Sequence, residues 1–203
     1  LDPVDLQTAG DRLQVGYIGH LYQGRGVEIV AAMAEACDWA DFHLVGGLEA
    51  DCAAWRERLA HLHNLTIHGF VAPTEVARYR AAFQVLLAPY QEKKTVYGST
   101  EARTSKWMSP LKIFEYMSAP AAIIASDLSA LREVLAHDET ALLCAPADAG
   151  AWIAALERLR DDPDLRARLD TNADRLFRKH YTWSARAERV LAGLDLGRDT
   201  DHG

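Results

Sequence analysis

The order of apolar segments along the chain constrains its fold more than any other feature. Short apolar runs of strand type alternate with longer stretches of helical period along nearly the whole sequence. This alternation is typical of an α/β fold, because successive parallel strands are joined by crossovers that usually contain a helix. We therefore predict a sheet of parallel strands at residues 14–18, 42–45, 65–67, 84–87, 122–125 and 141–144.

Segments with helical period separate these strands and continue after the last one. We predict helices over residues 27–37, 50–61, 74–81, 110–118, 128–136 and 149–160, then from Asp162-Pro163 to about Lys179, and a last one after Tyr181-Thr182-Trp183. Asp162 and Pro163 are a typical N-cap and first-turn pair. Residues 1–12 and 195–203 are polar and lack periodicity, so we expect a linker or tail at each end and one domain over residues 13–194.

The composition excludes several classes of protein. An apolar share of 49% is ample for a full core. The 22 Lys and Arg against 29 Asp and Glu give a net charge of -7, which argues against a general nucleic-acid binder. No apolar run reaches the roughly 20 residues of a membrane span, and no signal-peptide pattern is recognisable, so we expect a cytoplasmic protein.

Cysteine and histidine spacing does not indicate a disulfide framework or a metal site. Cys37, Cys52 and Cys144 stand far apart, and their odd number favours reduced, partly buried thiols. Among the eight histidines, His61 and His63 are closest, but two residues apart on a helix they point to different sides. We expect the histidines at the surface and no metal.

The first candidate site lies in VGYIGHLYQGRGVEIV, residues 15–30. A strand ends at Gly19, a loop with Gly24 and Gly26 follows, and a helix begins next to Arg25. Backbone N–H groups at a helix start, together with a guanidinium, favour a phosphate. The spacing is not the GxGxxG of dinucleotide-binding folds, and the glycines could instead serve only tight packing of the turn.

The second candidate is SPLKIFEYMSAP, residues 109–120, which follows the fourth strand and a long polar connection. Lys112 and Glu115 are three residues apart, so they share one side of a helix near its start. In open α/β sheets, ligands bind outside the carboxyl ends of the strands where the strand order reverses, here between the first and fourth strands. Both candidate segments start helices at that place.

Two interpretations of Lys112 and Glu115 remain open from the residues alone. They could form an ion pair with each other on the helix surface. Alternatively, Lys112 contacts a diphosphate and Glu115 accepts hydrogen bonds from sugar hydroxyls. We favour the ligand, because Leu111, Phe114 and Tyr116 should leave little open surface for a solvated pair.

A third candidate is IHGFV, residues 67–71, where a strand ends in a glycine turn. Its backbone groups could hold the edge of a nucleobase, or the segment could be a packing turn. The polar connection over residues 89–108 has no regular period, and loops of this length in compact domains are usually functional or mobile.

Six segments in this order resemble the C-terminal, nucleotide-sugar-binding domain of family 4 glycosyltransferases of the GT-B fold. The segments are GHLYQGRG, FHLVGG, NLTIHGFV, LLAPY, SPLKIFEYMSAPAAIIASDLSALREVL and YTW. The resemblance covers about residues 13–193. It implies a Rossmann-like, doubly wound sheet in order 3-2-1-4-5-6, with helices on both faces and extra C-terminal helices, and an N-terminal acceptor-binding domain that this chain lacks.

The resemblance also implies a donor diphosphate site. The family has a Gly-Arg-Leu turn and a Lys-Gly pair where this chain has Gly19-His20-Leu21 and Arg25-Gly26. Arg25 thus takes the role of the lysine with the charge kept, whereas a contribution from His20 would depend on pH. The residues implied at the diphosphate are Gly19, His20, Arg25, Gly26, Ser109, Leu111 and Lys112.

The remaining donor contacts follow from the same resemblance. Glu115 matches the second glutamate of the family's pair, the one that binds the ribose hydroxyls. The first should stand at position 107, where this chain has Trp107, and an indole cannot accept a hydroxyl proton. Recognition of the donor sugar around Trp107 and Met108 is therefore left open. The implied base-binding residues are Phe70, Val71 and Tyr90.

The implied activity is hexosyl transfer from a nucleotide-diphosphate sugar with retention of configuration, with Arg25, Lys112 and Glu115 as the catalytic groups. Retention in this family is attributed to front-face attack, which needs no enzymic nucleophile. We expect no cofactor, no metal and no nucleic acid, and the resemblance leaves open an association of the complete enzyme with the inner face of the membrane. The alternatives are a non-catalytic nucleotide-sugar-binding or partner-docking module, and a GT-B-fold nucleotide-sugar epimerase.

Overall fold

The chain folds around a single parallel sheet. The computed structural model describes residues 2–6, 11–91, 111–185 and 187. All neighbouring strands are parallel, and the sheet order is β3-β2-β1-β4-β5-β6, as predicted. The strands are β1 Leu13–Ile18, β2 Ala40–Val45, β3 Leu65–Gly69, β4 Val85–Ala88, β5 Ala122–Ser126 and β6 Leu142–Cys144.

The helices lie between these strands and after the last one. They are α1 Val27–Ala36, α2 Glu49–Arg58, α3 Pro73–Ala82, α4 Leu111–Met117, α5 Ser129–Arg132, α6 Ala149–Asp161 and α7 Pro163–His180. Residues 183–185 and 187 are also helical, and the rest of the predicted last helix lies outside the described residues.

The predicted helix over residues 128–136 is wrong in length, because α5 ends at Arg132. The chain must turn there to return to the sheet as β6. Asp138 takes a left-handed φ of 62°, and the Thr140 hydroxyl accepts a hydrogen bond from the backbone N–H of Ala136. These contacts provide the turn that the apolar period did not indicate.

Both faces of the sheet are covered by apolar layers. One layer packs under α1, α2 and α6, the other under α4 and α5, and α7 contributes to both. Leu86 and Leu87 are neighbours on β4 and belong to opposite layers, since successive strand side chains point to opposite faces. Strands buried on both faces are what a parallel sheet requires.

The prediction that the histidines lie at the surface fails at one buried side chain. His43 on β2 is only 4% exposed, so the expectation that the histidines lie at the surface is wrong for this residue. Its Nδ1 lies 3.0 Å from Nε2 of His68, and its Nε2 lies 2.8 Å from Oε1 of Gln14. Burial of this ring is tolerated because both nitrogens have partners.

The three cysteines are free and buried, as expected. Among the described residues, no helix is long and apolar enough to cross a membrane.

Candidate functional site

The carboxyl ends of β1 and β4 lie side by side where the strand order reverses. Gly26, at the start of α1, has a left-handed φ of 82°, and a Cβ added to it would lie 2.1 Å from the carbonyl oxygen of Pro89. Only glycine allows the loop after β1 to approach the end of β4 this closely. Gly26 therefore has the packing role that the sequence left open for the glycines. Its contact with Pro89 closes one side of the candidate site.

The ammonium group of Lys112 lies at the end of β1. Its Nζ is 4.1 Å from the ring centroid of Tyr17, 5.4 Å from that of Tyr116 and 5.6 Å from that of Tyr90. It also stands 3.0 Å from the position that a Cβ on Gly19 would take. The three aromatic faces attract the cation and hold it beside the loop.

Arg25 brings a second cation to the same tyrosines. Its guanidinium stacks on the ring of Tyr22 at 4.5 Å and donates a hydrogen bond to the Tyr22 hydroxyl. Burial raises the pKa of Tyr17, and burial raises the pKa of Tyr90 to about 12, while the charge of Arg25 opposes both shifts. Arg25 and Lys112 therefore act on one pair of neutral rings, from the loop after β1 and from α4.

One donor of Arg25 is unsatisfied. Its Nε is buried and has no hydrogen-bond partner among the described residues. A buried unpaired donor costs roughly 1–3 kcal/mol. An anion bound next to it would remove that cost.

Sequence reasoning identified Tyr90 as a site residue but missed Tyr17 and Tyr116. The Tyr17 hydroxyl donates to the carbonyl of His20 at 2.8 Å, and the Tyr116 hydroxyl accepts from the N–H of Ile18 at 3.0 Å. These bonds fix the loop after β1. Tyr17 could have been found from its place one residue before the end of the first strand, whereas the apolar period indicated only that Tyr116 is buried.

Glu115 faces a partner other than Lys112. Its Oε2 accepts a hydrogen bond from Nη1 of Arg80 on α3 at 2.9 Å, and the described ion pairs include none between Lys112 and Glu115. The interpretation of these two charges as a mutual pair is therefore wrong. So is the expectation that Leu111 closes this surface, because Leu111 is 66% exposed, although Tyr116 is fully buried.

The other predicted contacts are spread along the same edge of the sheet. His20 is exposed. Phe70, after β3, is 78% exposed and Val71 is half-buried, whereas Tyr90, after β4, is buried beside Lys112. Trp107, Met108 and Ser109 lie outside the described residues.

A cavity of about 1040 Å³ opens beside the loop after β1. Its lining combines amide, carboxylate and apolar groups: Gln23, Gly24, Glu28, Ile29, Gln91, Ala145, Pro146, Ala147 and Asp148. The part of the chain that the structure describes contains no group of three His, Cys, Asp or Glu side chains placed to hold a metal ion.

Residues 12–162, which contain all six strands and both sides of the site, match the family described as "Glycosyl transferases group 1". The chain belongs to this family. A comparison with curated proteins finds no match to this glycosyltransferase domain.

Solved structures similar to the domain share its fold. Sucrose-phosphate synthase from Thermosynechococcus elongatus is 21% identical with a TM-score of 0.74, over 97% of this chain and 50% of that one. HepE from Anabaena in complex with UDP is 17% identical with a TM-score of 0.71, over 91% and 49%. This glycosyltransferase domain therefore spans about half the length of these two proteins.

A third structure is itself a single domain that matches most of this chain. It is the C-terminal domain of LpcC, a glycosyl transferase group 1 family protein from Francisella tularensis. That structure is 16% identical with a TM-score of 0.66, over 84% of this chain and 87% of that one. The fold is thus that of the C-terminal domain of GT-B glycosyltransferases.

Proposed function

We propose that this chain is the donor-binding half of a retaining glycosyltransferase, which takes a nucleotide-diphosphate sugar and acts with a separate N-terminal acceptor-binding domain. The observation that carries the proposal is that Lys112 is held against Tyr17 and Tyr90 at the switch point of the sheet, where Arg25, just before α1, has a buried Nε with no hydrogen-bond partner among the described residues. Membership of the glycosyl transferase group 1 family supports it, as do the structures of HepE with UDP and with UDP-glucose.

In this proposal the two cations bind the diphosphate. When the glycosidic bond breaks, negative charge develops on the leaving phosphate, and fixed donors aimed there lower the barrier. The planar guanidinium of Arg25 can bind two phosphate oxygens, and its buried Nε gains the partner that it lacks among the described residues. Lys112 supplies a point charge from α4.

The remaining steps need no enzymic nucleophile. The acceptor hydroxyl attacks on the face from which the diphosphate leaves, and the departing phosphate oxygen takes its proton, so the configuration is retained. Glu115 binds the ribose hydroxyls, and the base lies near Phe70 and Val71. The scheme assigns no role to a cofactor or metal.

Calorimetric titration with UDP, GDP and ADP, and with the corresponding nucleosides, tests donor binding. We expect at least one diphosphate to bind the wild-type chain. Arg25→Met and Lys112→Met should each weaken that binding about tenfold or more, because each removes a charge-assisted contact. Neither should change the affinity for the nucleoside.

Arg58→Met is the matched control, because Arg58 stacks on Trp55 at 4.9 Å much as Arg25 stacks on Tyr22. If no diphosphate binds, or if the control weakens binding as much as Arg25→Met, the donor site is wrongly assigned. The anomeric configuration of the product formed by the complete protein tests retention. Binding without transfer would favour a binding module, and conversion of the sugar without an acceptor would favour an epimerase.

A further inference from the structure

Glu115 is placed to bind two hydroxyls, but an exposed glutamate does not hold one position by itself. The Glu115 side chain is 56% exposed on α4, so several rotamers are open to it. Binding a vicinal diol through one carboxylate requires a fixed direction of its free lone pairs. Something outside α4 must therefore hold this carboxylate.

Arg80 supplies that contact. It lies in the last turn of α3, and its side chain is only 17% exposed. Nη1 donates to Oε2 of Glu115 at 2.9 Å, which ties α3 to α4 across 35 residues of chain. Among the described residues, Oε1 of Glu115 has no such partner, so within this part of the chain Arg80 holds one carboxylate oxygen and leaves the other without a contact.

The ion pair contributes little to folding stability, because partly exposed pairs are screened and cost side-chain entropy. Another arginine on the same helix provides a comparison. Arg78 pairs with Glu75 at 2.7 Å within α3 and donates to the carbonyl of Asp2 at 3.1 Å, and its hydrogen bonds among the described residues include none to α4. The two ion pairs have similar N–O distances, but the Arg80–Glu115 pair joins α3 to α4, whereas the Arg78–Glu75 pair lies within α3.

On the basis of the proposed function, we propose that Arg80 is a positioning residue for ribose recognition. It holds Oε2 of Glu115 so that Oε1 accepts hydrogen bonds from the 2′ and 3′ hydroxyls. Arg80 touches no part of the donor in this arrangement. It acts through Glu115 alone, and its loss should affect only ligands that carry those hydroxyls.

The test compares UDP, GDP and ADP with their 2′,3′-dideoxy analogues by calorimetry on the full 203-residue chain. The wild type should prefer the ribose form about tenfold or more, as expected for hydrogen bonds to a charged group. Arg80→Gln should remove most of this preference while leaving the affinity for the dideoxy form unchanged. Arg80→Lys, which keeps the charge, should restore part of it.

A thermodynamic cycle separates positioning from a general structural role. In a Glu115→Gln background, Arg80→Gln should have no further effect, because both changes remove one interaction. Arg78→Gln is the matched control and should keep the full ribose preference. The melting temperature of each variant shows whether it is folded.

Two outcomes would overturn the assignment to different extents. If Arg80→Gln weakens the ribose and dideoxy forms equally, or adds its full effect to that of Glu115→Gln, Arg80 does not position Glu115, and the donor site still stands. If the wild type binds none of the three diphosphates, the donor site and the role of Arg80 both fall.

Discussion

At the scale of single residues, Gly26 joins the two sides of the candidate site. Its left-handed φ of 82° costs a non-glycine residue roughly 1–2 kcal/mol. An added Cβ would also lie 2.1 Å from a backbone oxygen, that of Pro89, which cannot rotate away. Substitution must therefore either strain the turn or push the loop after β1 away from β4.

Gly26→Ala is expected to lower the melting temperature by about 2–8 °C, since the strain alone costs roughly 1–2 kcal/mol and 1 kcal/mol corresponds to about 2–4 °C in a chain of this size. It should also weaken diphosphate binding, because Arg25 moves with the loop. Gly24→Ala is the control for backbone strain, with a similar φ of 86°. If the two variants bind and melt alike, the contact with Pro89 does not hold the loop.

The charged residues of the candidate site could be predicted from the sequence. The side chains that contact them could be predicted only in part. Helical spacing placed Lys112 and Glu115 on one side of α4, and the reversal of strand order placed Arg25 near them. Spacing could not show that Tyr17 lies under Lys112 or that Arg80 pairs with Glu115. Those contacts depend on how α3, α4 and β1 pack, and local period carries no signal for packing between distant segments.

At the scale of elements, strands were predictable and helix ends were less so. Strands buried on both faces, such as β4 and β5, read as continuous apolar runs. All six strands were predictable, the half-buried edge strand β3 among them, and their ends shift by at most two residues. The end of α5 was not predictable, because the apolar period favoured a helix through residue 136. The chain instead turns at Asp138, and the Thr140 hydroxyl accepts a hydrogen bond from the N–H of Ala136. The start of α7 was predictable, since its cap is local.

The cap of α7 can be tested directly. Asp162 Oδ1 accepts a hydrogen bond from the N–H of Leu165 at 2.8 Å, and Pro163 occupies the first turn. Asp162→Ala should cost about 1 kcal/mol, measured as the free energy of unfolding in urea. Asp161→Ala, which removes only a surface pair with Arg160, should cost much less. Equal losses would mean that the cap does not stabilise α7.

At the scale of the whole molecule, a polar network crosses three strands and a helix. The acceptor Oε1 of Gln14 requires a proton on Nε2 of His43, so Nδ1 of His43 accepts from Nε2 of His68. The Tyr79 hydroxyl then lies 3.4 Å from Nδ1 of His68. This arrangement joins β1, β2, β3 and α3, and it cannot hold a proton on both histidines at once, because two N–H groups would then face each other.

The network makes stability depend on pH. Burial, with the nearby His68 charge, lowers the pKa of His43 to about 4, whereas the unfolded chain has a histidine pKa of about 6.5. Between these values the unfolded state binds the proton and the folded state does not, so stability is complete above about pH 6.5 and falls as the pH drops toward 4. The loss should reach roughly 3 kcal/mol, at 1.36 kcal/mol per pKa unit.

Urea unfolding at pH 7.5, 6.5, 5.5 and 4.5 measures this loss. His43→Gln should be less stable at pH 7.5, because it disturbs the network, yet its stability should fall less between pH 6.5 and 4.5. His61→Gln is the control, since His61 is exposed and its hydrogen bond among the described residues is a long one to Glu35 at 3.4 Å; it should keep the wild-type slope. A wild-type slope in His43→Gln would contradict the role of His43, because the group that takes up the proton on unfolding would then lie elsewhere.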